Sequence, residues 1–215
     1  MTDITKIEVA PFDSNVYVLK KGSTAVLIDA GSGYHSRAMV DEIERNLDGT
    51  QLKGIVLTHE HFDHSGGAKD MMEHFQVPLY GSNETAKALR EADENLTGSF
   101  LFGAQMEPIM DIMEIGSEIT IGEIELEVHS SPGHSPGMIC LITREGGELF
   151  CGDLLFCDGG VGRWDLPGGN LELLKRSIQR SLEWDVSALY PGHGRFEAED
   201  PKGQMRLSAS MIEDL

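Results

Sequence analysis

Apolar and polar positions along this chain change period several times, and each change marks an expected element. Lys6–Ala10, Asn15–Leu19 and Thr24–Ile28 are rich in β-branched and apolar residues, with Lys21-Gly22-Ser23 as a turn, so three strands are expected. Asp29-Ala30-Gly31-Ser32-Gly33 closes that run. The period then becomes helical over Ser36–Leu47, where Met39, Val40, Ile43 and Leu47 share a face. Gly54–Leu57 reads as a short buried strand. Ser65–Phe75 reads as an amphipathic helix, with Ala68, Met71, Met72 and Phe75 spaced i, i+3, i+4, i+7. Val77–Tyr80 is an expected strand and Glu84–Ala92 an expected helix. Asp93–Glu114 is irregular and Met-rich, consistent with either a lid or a connector.

The second half repeats the theme. Strands are expected at Glu118–Ile121, Ile124–His129, Met138–Ile142, Glu148–Cys151 and Ala188–Tyr190. A Gly-rich loop spans Asp158–Gly169. Asn170 is a good N-cap for a helix through Leu182, in which Leu171, Leu174, Ile178 and Leu182 share a face. Asp200-Pro201 places a cap before proline at the first helical position, so Lys202–Asp214 is expected as a terminal helix. No fixed-period repeat is visible. Two β-rich halves, each covered by helices, would bury both sheets if the sheets packed face to face. No linker divides the chain, so residues 1–215 are expected to form one domain.

Composition narrows the functional classes. The formal charge of −19 repels phosphate backbones and anionic lipid, arguing against nucleic-acid and membrane partners. No apolar run approaches the roughly 20 residues of a membrane helix, and no signal peptide is visible, so a cytoplasmic location is the default expectation. Cys140, Cys151 and Cys157 form no C-x-x-C pair and suit a reducing compartment. The ten methionines read as core filler, because no His or Cys interleaves with them at ligand spacing.

The chemistry is concentrated in Thr58-His59-Glu60-His61-Phe62-Asp63-His64-Ser65-Gly66-Gly67. Four residues of metal-ligating type, His59, His61, Asp63 and His64, fall within six positions. In extended backbone, side chains at i and i+2 point the same way, so His59, His61 and Asp63 can converge. A tightening into the following helix would swing His64 inward too. One ion cannot easily use all four, because adjacent Asp63 and His64 diverge; two ions can, given further ligands. Three strand-end loops offer them: His134 in Ser131-Pro132-Gly133-His134-Ser135-Pro136-Gly137, Asp153 in Cys151-Gly152-Asp153, and His193 in Pro191-Gly192-His193-Gly194. Flanking Gly and Pro fix unusual backbone and let a ligand project. His35, His74 and His129 read as structural residues, and Cys157 as a small buried hydrophobe.

With those motifs in that order, the chain resembles the metallo-β-lactamase-fold superfamily over nearly its whole length. The resemblance implies an α+β fold, a four-layer αββα sandwich with its site at the sheet edges. It puts His59, His61 and His134 on one ion, Asp63, His64 and His193 on a second, and Asp153 between the two. Asp29 matches the early buried Asp that supports the metal loops from behind. Gly162-Arg163-Trp164-Asp165-Leu166-Pro167-Gly168-Gly169 resembles the loop of short glyoxalase-II-like hydrolases. Two departures bear on glutathione specificity: the chain ends before the helical region that helps glyoxalase II hold glutathione, and Glu60 stands where that enzyme commonly shows His. His61, where the diiron flavoproteins of the superfamily carry Glu, argues against that branch.

The expected activity is therefore hydrolysis of a small-molecule acyl substrate, a thioester first. Two divalent ions about 3.5–4 Å apart would share a hydroxide that attacks the acyl carbonyl, with Asp63 orienting it. Zinc is the first expectation; iron and manganese fit nearly as well. Arg163 is a candidate for steering a substrate carboxylate. The rival readings are a persulfide dioxygenase with one iron on two His and one Asp, a lactonase or β-lactamase, and a non-catalytic metal-binding protein. The oligomeric state is not legible.

Overall fold

A computed structural model describes residues 2–11 and 13–213. The first half forms one six-stranded sheet whose spatial order follows chain order: β1 (Asp3–Ile7), β2 (Val16–Lys21), β3 (Thr24–Ile28), β4 (Gln51–Val56), β5 (Leu79–Gly81) and β6 (Ile112–Glu114). β1 to β3 form an antiparallel meander; from β3 onward the pairing is parallel. Parallel neighbours need crossovers, and α1 (Ser36–Leu47), α2 (Phe62–Ser65) with α3 (Ala68–Phe75), and α4 (Asn83–Glu91) occupy them. After the one-turn helix α5 (Glu94–Thr97), the second half forms the other sheet from β7 (Glu118–Ile121), β8 (Ile124–Ser130), β9 (Ile139–Thr143), β10 (Glu148–Gly152) and β11 (Ala188–Pro191). β7 to β10 are antiparallel, and β11 joins β10 in parallel through α6 (Leu171–Ser181); α7 (Pro201–Glu213) follows.

Strand alternation sorts the apolar residues into three layers. In β3, Ala25 and Leu27 face α1, α3 and α4, packing with Met39, Ile43, Met71 and Leu89. Val26 and Ile28 face the other sheet, where they share a core with Leu126, Leu141 and Phe150. In β9 and β10, Cys140, Ile142, Leu149 and Cys151 face α6 and α7, against Leu174, Ile178, Met205 and Ala209. Helices on both outer faces and two mixed sheets between them make the α+β four-layer sandwich.

Four of the differences from the expected boundaries have a physical reason in the structure. The first strand is Asp3–Ile7, not Lys6–Ala10, because its register against β2 closes at Ile7–Val16. The helix expected over Ser65–Phe75 is two helices broken at Gly66-Gly67. There the chain crosses the loop after β3 so closely that a Cβ on Gly66 would lie 2.4 Å from the Ser32 carbonyl oxygen, and one on Gly67 2.3 Å from that of Ala30. The Gly67 amide donates to the Gly31 carbonyl (2.9 Å) and that of Ala30 to the His64 carbonyl (2.8 Å), so the two loops are stitched together. The irregular 93–114 stretch contains α5, a 3₁₀ turn (Ser99–Phe102) and the edge strand β6. The terminal helix starts at Pro201, with Asp200 Oδ1 accepting from the Gly203 amide; Asp214, its expected last residue, lies outside the described residues.

No helix among the described residues is long and apolar enough to cross a membrane. The Gly67 contact generates a test. Gly67→Ala is expected to cost about 1–3 kcal/mol, or roughly 2–12 °C in Tm. Gly116→Ala, with nothing within 4 Å of the new Cβ, is expected to shift Tm by no more than about 2 °C. Equal shifts in a thermal melt would contradict the close crossing.

Candidate metal centre

The strands β3, β4, β8, β10 and β11 all deliver their carboxyl ends to one edge of the sandwich, the place where open sheets hold ligands. Asp29 follows β3, the 58–65 segment follows β4, the 131–137 loop follows β8, Asp153 follows β10 and His193 follows β11. His59 and His61 leave β4 in extended backbone and share a face. α2 then begins at Phe62, so Asp63 and His64 sit on a helical turn. The expectation that Asp63 joins His59 and His61 through extended backbone is therefore corrected: helical geometry aims it at a separate group.

The seven residues expected as ligands meet in three overlapping groups. His59, His61 and His134 form one, His59, His64 and Asp153 a second, and Asp63, His64 and His193 a third, each with ligand atoms within 4.8 Å of one another. Asp153 lies between them. Its Oδ1 is 3.3 Å from His64 Nε2, and its Oδ2 is 3.5 Å from His134 Nε2 and 3.6 Å from His193 Nε2. Asp63 Oδ2 is 3.1 Å from His193 Nε2.

Partners behind the rings fix which nitrogen faces inward. A carbonyl only accepts, so His134 Nδ1 donates to the Arg163 carbonyl (2.7 Å), leaving Nε2 a bare lone pair. His64 Nδ1 donates to Asp29 Oδ2 (2.8 Å), which turns Nε2 toward Asp153. Thr58 Oγ1 donates to Asp29 Oδ2 (2.8 Å) and stands 3.0 Å from His59 Nδ1, whose proton it accepts. Asp29 also takes the Thr58 amide at Oδ1 (2.7 Å). It does so at φ 61°, a left-handed conformation that aspartate adopts more readily than most residues.

Electrostatics divides the residues in two. Burial, then the neighbouring imidazole of His134, pushes His61 down to about 3. Burial also drives His59 and His134 below the usual imidazole range. Those three are neutral donors at pH 7. Burial alone would raise the carboxyls of Asp63 and Asp153, but His64 and His193 outweigh it and hold both ionised. The same carboxylates raise His64 and His193 against the effect of burial.

The donor set fits divalent ions. His59 Nε2, His64 Nε2 and Asp153 Oδ1 are buried without a hydrogen-bonding partner, a costly arrangement that a cation relieves. His61 Nδ1 and His134 Nε2 face each other at 2.7 Å, where a proton or a metal must intervene. Space is reserved too: a Cβ on Gly192 would lie 2.3 Å from Asp153 Oδ1 and 2.6 Å from His64 Cε1.

A cavity of about 330 Å³ opens over these atoms. One wall is Thr97–Phe102, which settles part of the lid-or-connector question: this stretch borders the site, while 112–114 is a strand. Arg163 lines the cavity, but its guanidinium is held by Asp165 through two bonds (2.9 and 2.8 Å). The other histidines lie elsewhere. His74 pairs with Glu44, His129 stacks on Trp184, and His35 is exposed 4.0 Å from Asp13. Cys157 bonds the Arg195 carbonyl and is not among the cavity residues.

Two sets of supporting residues were not legible in the sequence. Glu60 points away from its ligand neighbours into the interior. Its carboxylate accepts from Thr85 Oγ1 (3.0 Å) and the Gly137 amide (3.2 Å), tying the 58–65 segment to the loop that carries His134. Its position between two same-facing histidines was a usable signal, since alternation sends it the opposite way. Asn15 and Tyr17 hold the His193 loop, both donating to the Pro191 carbonyl (2.9 and 2.6 Å). Their partners are more than 170 positions away, so no local pattern announces them.

Residues 9–193 match the family model of the metallo-β-lactamase superfamily, and the chain belongs to that superfamily of metallo-hydrolases. It is 33% identical to a hydroxyacylglutathione hydrolase of Haemophilus influenzae, over 90% of this chain and 92% of that one. Its structure is similar to a B3 metallo-β-lactamase (TM-score 0.84, 29% identity, 98% and 99% of the two chains). It is also similar to a protein crystallised in a di-iron-bound form (TM-score 0.78, 28% identity, 94% and 98%).

Asp29→Asn tests the supporting contacts. The amide keeps an acceptor for Thr58 but turns a donor toward the His64 Nδ1 proton. Metal affinity, read by competition with a chromogenic chelator, is expected to fall about 10–100-fold with an unchanged far-ultraviolet spectrum. Unaltered affinity would mean that Asp29 does not orient the ligands.

Proposed function

We propose that this chain is a binuclear metal-dependent thioester hydrolase of the hydroxyacylglutathione-hydrolase type. The observation that carries the reading is the position of Asp153, whose carboxylate lies within 3.3–3.6 Å of His64, His134 and His193 and so reaches imidazoles of both sets. His59, His61 and His134 would hold one ion, Asp63, His64 and His193 the other, and Asp153 both. Zinc suits this mixture of imidazole and carboxylate, and iron is supported by the di-iron-bound neighbour. Divalent ions held there supply Lewis acidity and an ionised water at neutral pH.

The chain's own groups do the rest. Asp63 is the group placed to orient the attacking water and hold its proton, because its carboxylate stays ionised and lies at the cavity floor. Phe102 and Phe156 line the cavity and put apolar surface beside the reacting acyl carbon. Water's oxygen joins that carbon, the carbon–sulfur bond breaks, and the proton ends on the leaving thiolate. The charge of −19 supports a small-molecule substrate over a nucleic acid.

The similarity to a B3 metallo-β-lactamase favours one second reading, opening of a cyclic amide or ester at the same centre. The test is a panel containing S-lactoylglutathione, alkyl thioesters, a lactone and a β-lactam, run on protein of defined metal content, with oxygen uptake on glutathione persulfide alongside. Thioester hydrolysis is expected to dominate. His61→Ala and Asp153→Ala are each expected to lose metal and at least about 100-fold in kcat/KM. Full metal content and full rate in either variant would overturn the scheme. One iron per chain with oxygen uptake would make the protein a dioxygenase.

A further inference from the structure

The cavity over the donor groups is chemically lopsided. Its floor is polar, formed by His61, Asp63, His134, Asp153 and His193; its apolar lining is Leu101 and Phe102 from one segment and Phe156, Val161 and Leu166 from another. Beyond the floor, Arg163 is the one charged side chain lining it among the described residues, and Asp165 pairs with one edge of that guanidinium through Nε and Nη2, offsetting its charge. Thr97, the wall hydroxyl, donates to the Asp93 carbonyl (2.8 Å) and accepts from the Ser99 amide (3.5 Å). A hydroxyl on a bound acyl group would therefore lose water without gaining a free partner from these walls.

The apolar wall is also held in place. Tyr34 Oη donates to the Phe102 carbonyl (2.8 Å), and the Phe102 ring packs on Phe62 at 5.3 Å between centroids. Phe62 begins α2, the helix that carries Asp63 and His64, so the wall and the donors share one support. Leu101 remains 51% exposed at the mouth. Leu101 and Phe102 also line a second, mainly apolar cavity of about 510 Å³ with Val9, Pro11 and Tyr34, bordered by Asp13, Ser32 and His35. A tail that outgrows the first cavity meets further apolar surface there.

From this arrangement we infer that the acyl group cleaved is an apolar aliphatic chain rather than a hydroxyacyl group, and that the thiol carrier is not recognised through its charge. The inference rests on the thioester reading above and replaces its hydroxyacyl substrate with an aliphatic one. Acyl carbon and sulfur separate as already described, releasing a fatty acid and a free thiol.

The test uses the full-length metal-loaded protein and acetyl, butyryl, hexanoyl and lactoyl thioesters, each on glutathione and on uncharged N-acetylcysteamine. We expect kcat/KM to rise roughly fourfold per methylene and hexanoyl to exceed lactoyl by at least about tenfold on both carriers. The two carriers should agree to within about threefold for one acyl group. Leu101→Asp, at a half-exposed position that tolerates a charge, is expected to cut the hexanoyl-to-acetyl ratio about tenfold or more. Binding of a non-hydrolysable hexyl thioether, measured by calorimetry, should tighten with chain length in the same way. A preference for lactoyl over hexanoyl, or for glutathione over cysteamine beyond about tenfold, would overturn the inference while leaving a thioesterase. If no thioester is cleaved, the thioester reading itself fails. Calorimetry then decides on the pocket alone: thioether binding indifferent to chain length overturns the apolar site, and tightening along the series upholds it.

Discussion

The carboxylate of Asp29 is the contact through which this fold becomes a site. It is buried at the end of β3 with three donors around it: the Thr58 amide, the Thr58 hydroxyl and His64 Nδ1. Through Thr58 it also reaches His59. One side chain therefore decides which nitrogens of two ligands look inward. A buried carboxylate is stable only when its lone pairs are filled; here the groups that fill them are those that must be aimed. The left-handed backbone of Asp29, and the Gly66-Gly67 crossing that lets the two loops touch, serve the same contact.

The two-sheet architecture explains why ligands from five loops can meet. Each half contributes one sheet, and the carboxyl ends of its site-forming strands point to the same edge. The first half supplies the clustered ligands on β4 and α2; the second supplies His134, Asp153 and His193 one at a time. Cross-links between halves then set the spacing. Asn15 and Tyr17 hold the Pro191–Gly194 turn, Glu60 holds Gly137, and the Ile139 amide donates to the Thr58 carbonyl (2.8 Å). The donor groups inherit a division of charge from this assembly. Neutral imidazoles lie on one side and ionised carboxylates with their histidines on the other.

Much of this was legible in the sequence, for local reasons. Period-2 runs bounded by turns gave Thr24–Ile28 and Glu118–Ile121 their limits, and a 3.6-residue stripe gave Ser36–Leu47 its limits. Those patterns report burial directly. What stayed hidden depended on distant partners. The break at Gly66-Gly67 is imposed by the loop after β3, which no window around residue 66 contains. β6 is three residues at a sheet edge, too short to show a period. The seven candidate ligands stood out through their residue types and their place after strands; Glu60, Asn15 and Tyr17 did not, because their work is to hold backbone far along the chain. Arg163 looked like a free cation in the sequence, and only the structure shows Asp165 two residues on folding back to take it.

The most direct measurement of the central claim is anomalous diffraction at the metal absorption edge from crystals of the metal-loaded protein. The account predicts two peaks about 3.5–4 Å apart, one ringed by His59, His61 and His134 and the other by Asp63, His64 and His193, with Asp153 reaching both. No peak among those side chains, or density only at some other surface, would contradict it.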